Sequence, residues 1–65
     1  MNIFINGQQM PFAAGITIAQ ILDALQIVPA SIVVELNEDI IPPEGHHNSL
    51  FENDRLEFIR FVGGG

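Results

Sequence analysis

At 65 residues the chain has room for one small domain, which buries roughly 60% of the surface its unfolded form exposes. Hydrophobic residues make up 48% of it and charged residues 15%, which excludes a disordered composition; with no cysteine there is no disulfide framework, thiolate metal site or cysteine nucleophile. Eight acids against two arginines give a formal net charge of −6, the wrong sign for a nucleic-acid footprint and the right one for a partner with a basic docking surface.

Residues 1–6 alternate, with Met1, Ile3 and Ile5 on one side and Asn2, Phe4 and Asn6 on the other, the period of a strand with one buried face. Asn6-Gly7 is the dipeptide of a type I′ hairpin turn. Residues 8–13 make the return strand, and Pro11, which cannot donate to a ladder, places it at a sheet edge. Thr17 with Gln20 reads as a capping box at a helix start, with Ile16 and Ile21 at hydrophobic-staple positions. Ile18, Ile21, Leu22 and Leu25 then form one apolar stripe, and Pro29 predicts a stop near Gln26 or Ile27.

Residues 31–37 read as a second buried-face strand, with Ile32, Val34 and Leu36 on one side and Val33, Glu35 and Asn37 on the other. Residues 38–53 contain Pro42-Pro43, Gly45, His46-His47 and Asn48, the makings of an irregular crossover. A brief strand at Ile40 and Ile41 and a helical turn at 49–52 are expected within it. Asn53-Asp54 supplies a turn, residues 56–62 form the last strand, and Gly63-Gly64-Gly65 follow. Hairpin, helix, strand, long crossover and strand, with the last strand beside the first, predict an α+β fold. It is the β-grasp, or ubiquitin-like, mixed sheet with one main helix packed on one face. The expected division is a β-grasp domain over residues 1–62 and a flexible glycine tail over 63–65.

Side-chain chemistry is sparse. Ser31 and Ser49 have no acid–base dyad beside them, and the acids are scattered singly. Adjacent histidines on an extended chain point to opposite faces and do not make a chelating pair, so His46-His47 reads as a solvated loop, with metal binding as the minor alternative. The three glycines are different. Without Cβ they can thread a narrow channel, and their carbonyls are open to attack. A carboxylate there becomes an electrophile once an ATP-using partner converts its oxygen into a good leaving group. With Leu56 and Phe58 facing the helix, Ile59 and Phe61 face away, and Phe4 shares that outer face on the neighbouring strand. Phe4, Ile59 and Phe61 are therefore the candidate partner-binding patch.

The segments Met1-Asn2-Ile3-Phe4-Ile5-Asn6-Gly7, Gly15-Ile16-Thr17-Ile18, Leu36-Asn37-Glu38-Asp39-Ile40-Ile41-Pro42 and Phe61-Val62-Gly63-Gly64-Gly65 carry a resemblance over nearly the whole chain. It resembles the bacterial sulfur carriers of thiamine biosynthesis, ubiquitin-like proteins ending in Gly-Gly. Two positions depart from that pattern: Pro43 stands where the family often has Arg, and Asn53-Asp54 where it often has Gly-Asp. The first leaves any role of that arginine without a bearer; the second keeps a turn-competent residue.

The resemblance implies a covalent carrier with no catalytic residue and no metal of its own. Gly65 would be adenylated by an adenylyltransferase similar to ubiquitin-activating enzymes, which uses ATP and Mg. A sulfur donor protein would convert it to a thiocarboxylate, and thiazole synthase would take the sulfur. Gly63 and Gly64 would thread into these partners. The related small subunit of molybdopterin synthase shares this tail chemistry, but this chain lacks the extra length expected between helix and second strand. A ubiquitin-like modifier, a non-covalent β-grasp interaction module and, last because no acid–base constellation is visible, a small acid-dependent enzyme are the remaining readings. No apolar run approaches the roughly 18 residues of a membrane span, and no secretory leader or transit pattern is present. The expected location is the cytoplasm, with neither membrane nor nucleic acid as partner.

Overall fold

The computed structural model describes residues 1–61; the expected domain boundary at 62 and the glycine tail lie outside the described residues. Strands β1 (Asn2–Ile5) and β2 (Gln8–Pro11) form the first hairpin. Asn6 and Gly7 both hold positive φ, at 49° and 83°, as a type I′ turn requires. β2 is an edge strand, with Pro11 opposite Asn2. It ends at Pro11, short of 13, although the Phe12 N–H still donates to the Met1 carbonyl at 2.7 Å.

Helix α1 spans Ile18–Ala24. Thr17 Oγ1 accepts the Gln20 N–H at 3.1 Å while Gln20 Oε1 accepts the Thr17 N–H at 3.0 Å, so the capping box forms in both directions. The helix stops earlier than Pro29 demands. Gln26 takes a left-handed conformation (φ 58°). The Gln26 N–H donates to the Asp23 carbonyl at 3.0 Å and the Ile27 N–H to the Leu22 carbonyl at 2.9 Å. These two bonds are a Schellman motif, which satisfies the last carbonyls before the proline is reached. Leu25 falls at the cap and is 38% exposed, so the apolar stripe ends at Leu22. Pro29 instead opens a separate 3₁₀ turn, Pro29–Ser31.

β3 (Ile32–Leu36) and β4 (Asp39–Ile41) form a second hairpin, and β5 (Arg55–Arg60) completes a sheet of order β2-β1-β5-β3-β4. β1 and β5 are parallel; the other pairs are antiparallel. The crossover differs from expectation. Its helical turn lies at Pro43–Gly45, not at 49–52. Ser49 bridges Thr17, and the Leu50 N–H donates to the Ile16 carbonyl at 2.8 Å. This extended backbone drives Leu50, 3% exposed, into the core. Ile18, Ile21 and Leu22 of α1 share that core with Ile3, Ile5, Ile32, Val34, Leu50 and Leu56. Each such side chain contributes about 1.5–3 kcal/mol by burial. The helix covers one sheet face; the other is left open.

Candidate functional site

β5 leads to the tail, and its surroundings fix where the tail begins. β3 pairs with it along its length, from Ile32 opposite Arg60 to Leu36 opposite Leu56. β1 pairs only with its start, Phe4 with Arg55 and Ile5 with Leu56. Beyond β1 the Asn6 side-chain oxygen accepts the Phe58 N–H at 2.8 Å, and the Phe61 N–H reaches the Ser31 carbonyl at 3.4 Å. The chain is thus held by backbone contacts up to Phe61. Gly63, Gly64 and Gly65, the expected threading and modified residues, lie outside the described residues.

The candidate docking residues separate into two places. Alternation along β5 puts Arg55, Glu57 and Ile59 on the open face and Leu56 and Phe58 toward the helix. Leu56 is buried; Phe58 is only half-buried. Ile59 is 45% exposed and Phe61 66%. Val33 lies opposite Ile59 in the ladder, and Phe61 and Val33 line an apolar groove of about 300 Å³ with Ile40 and Pro42. This groove opens where β4 ends and Pro42-Pro43 turn the chain away from β3. Phe4, half-buried, sits instead beside Arg55, six positions before Phe61 and so roughly 20 Å along the strand at about 3.3 Å per residue. It borders a recess of about 170 Å³ with Gly7, Glu35, Glu38, Arg55 and Glu57.

Two features escaped the sequence reading. His46 is not in a solvated loop: it is 5% exposed, and only His47 faces solvent. The Pro43–Gly45 turn folds the chain back so that the His46 carbonyl accepts the Ala19 N–H at 2.9 Å, near the helix start. Gly45 permits this close return, since a Cβ there would sit 2.8 Å from Ile41 Cγ2. Among the described residues the buried His46 Nε2 has no hydrogen-bond partner. The second feature is the direct pairing of Glu35 with Glu57 on the open face. Alternation within each strand predicts the face, but only the register brings the two acids together. Among the described residues no group of three or more His, Cys, Asp or Glu side chains is placed to hold a metal ion. No helix among them is long and apolar enough to cross a membrane.

Comparison with known proteins covers the whole chain. The ThiS family matches residues 3–65. The chain is 38% identical over 50 residues to the sulfur carrier protein ThiS of Bacillus subtilis, covering 75% of this chain and 76% of that one. It is 32% identical over 66 residues to a thiazole synthase of Paramagnetospirillum magneticum, 100% of this chain but only 20% of the relative, so it spans about a fifth of that protein's length. The crystal structure of the thiamine biosynthesis protein ThiS from Geobacter metallireducens superposes with a TM-score of 0.82 at 30% identity, covering 100% of both chains.

Proposed function

The chain belongs to the ThiS family, and from that premise we propose that it carries sulfur as a C-terminal thiocarboxylate for thiazole formation in thiamine biosynthesis. The observation that carries this reading is the family match, which runs through the glycines to residue 65 on a domain with the same fold.

In this reading the chain is a substrate of its partners, not an enzyme. An adenylyltransferase, using its own ATP and Mg, joins the Gly65 carboxylate to AMP and releases pyrophosphate. A sulfur donor protein then attacks the carbonyl carbon and AMP leaves. If the donor sulfur is a persulfide, a thiol must cleave the resulting acyl disulfide to free the thiocarboxylate. The chain's own contribution is positional. β5 is fixed on both sides at its start and by β3 to its end, so the strand that precedes the glycines is held in place. Gly63 and Gly64 pass through a channel too narrow for a Cβ, and Ile59 and Phe61 dock beside it, with Phe4 as a separate contact at the far end of β5. Two relatives, 32% and 33% identical, are named thiazole synthase and contain a stretch like this chain, which supports thiazole synthase as the acceptor. The cytoplasm is the location that suits ATP-dependent partners.

Incubation with ATP, Mg, the adenylyltransferase and a sulfur source, followed by intact-mass and fragment analysis, tests the reading. One oxygen exchanged for sulfur at Gly65 is expected. Sulfur retained by a chain lacking Gly64 and Gly65 overturns it.

A further inference from the structure

We infer that Asn6 is a site of spontaneous deamidation, held latent by the hairpin turn and by β5. The Phe4 N–H donates to the Asp54 carbonyl and the Asn6 N–H to the Leu56 carbonyl, both at 2.9 Å. The next rung of a parallel ladder would run from the Phe58 N–H to the Asn6 carbonyl. The chain turns away at Gly7, and the Asn6 side chain supplies the acceptor instead: Oδ1 takes the Phe58 N–H at 2.8 Å. Among the described residues the β1–β5 pairing ends at Leu56, so this side chain holds that edge of β5 farther along.

Asn before Gly carries its own reaction, because Gly has no Cβ to shield its nitrogen. Both residues are exposed, and the space a Cβ on Gly7 would take is open to 4 Å. The Gly7 nitrogen loses its proton and attacks Asn6 Cγ. The new N–Cγ bond forms as the Cγ–Nδ2 bond breaks, and Nδ2 leaves as ammonia with that proton. Water then opens the succinimide ring at either carbonyl, giving aspartate or isoaspartate. Ring closure needs Cγ and the Gly7 nitrogen on one side of the Cα–C bond. Asn6 has φ 49°, and a type I′ turn sets its ψ at about +30°, which points the two apart. The hydrogen bond from Phe58 fixes Asn6 in that geometry, so reaction waits for local opening. Isoaspartate then routes the main chain through Cβ and Cγ. That lengthens the two-residue turn by one carbon and withdraws the oxygen that held Phe58, on the strand that leads to the glycines.

The intact chain is aged in warm, mildly alkaline buffer, with and without enough urea to unfold it. Intact mass and electron-transfer fragmentation follow the amide-to-acid conversion. Asn6 should convert first, ahead of Asn48 before Ser49, with isoaspartate as the main product, and unfolding should speed it roughly tenfold or more. A chain synthesised with an ester in place of the Glu57–Phe58 amide lacks only the Phe58 N–H, which points away from β3. It should convert several-fold faster in native buffer. In the converted chain, hydrogen exchange at Phe58 should quicken roughly tenfold while Ile59, whose N–H faces β3, stays protected. Equal conversion in and out of urea, first conversion at another asparagine, a folded ester chain converting at the native rate, or unchanged exchange at Phe58 each overturns the inference. The urea comparison uses the unmodified chain and decides the gating even where the ester chain does not fold.

Discussion

The side chains of β5 divide by a single alternation, and substitutions should report it. Leu56 is 2% exposed, and Leu56→Ala should cost about 2–5 kcal/mol in urea unfolding. Phe61 is 66% exposed, and Phe61→Ala should change stability by no more than about 0.5 kcal/mol. The same variant should raise the carrier's KM for adenylation by roughly one to two decades, since burying such a ring in a complex is worth about 1.5–3 kcal/mol. A stable Phe61→Ala chain adenylated with an unchanged KM would remove Phe61 from the docking surface. His46 presents the opposite situation, a buried polar group whose Nε2 has no hydrogen-bond partner among the described residues. Desolvating such an atom costs about 1–3 kcal/mol, so His46→Leu should leave the unfolding free energy unchanged or raise it by about 1 kcal/mol. A loss above about 1.5 kcal/mol would mean that the imidazole's shape, not its polarity, is what the site needs.

At the scale of elements, helix α1 ends on a residue poorly suited to its conformation. Gln26 at φ 58° bears the left-handed cost of about 1–2 kcal/mol that a Cβ imposes. Gln26→Gly should therefore raise stability by roughly 0.5–1 kcal/mol after glycine's added unfolded-state freedom is subtracted. A lower denaturation midpoint would show that the Gln26 side chain contributes more than its backbone strain removes. This ending marks where legibility stopped. Thr17 and Gln20 announce the helix start because capping is local chemistry between residues three apart. Asn6-Gly7 announces its turn for the same reason. The place of the helix end, near Gln26, is legible but its cause is not: Pro29 signals a boundary, whereas the stop is made by the left-handed Gln26, a residue without the usual glycine signal. Leu50 escaped because its burial depends on Ile16, far away in sequence. The Glu35–Glu57 pair escaped because period-two patterning assigns faces but does not fix the register between strands. The docking patch meets the same limit: alternation places Ile59 on the open face, while the distance to Phe4 depends on where β1 meets β5.

For the whole molecule the dominant long-range term is its charge. A net −6 on 65 residues repels itself in the compact state. Raising ionic strength from about 10 mM to about 0.1 M shortens the screening length from about 30 to about 10 Å, and Tm should climb by several degrees over that range. A Tm independent of salt would show that the acids are spaced too widely to interact. The sheet order also has a consequence for how the protein is made. β5 is the last of the five strands in the chain, yet it occupies the middle of the sheet, between β1 and β3. A ribosome delivers the first hairpin, the helix and the β3–β4 pair before the strand that joins them has emerged. Until then Ile3, Ile5, Ile32 and Val34 have no finished sheet to close over them. Assembly therefore waits for β5 and proceeds as one event rather than growing from the N-terminus, so a nascent chain stalled before Arg55 is a target for chaperones and proteases.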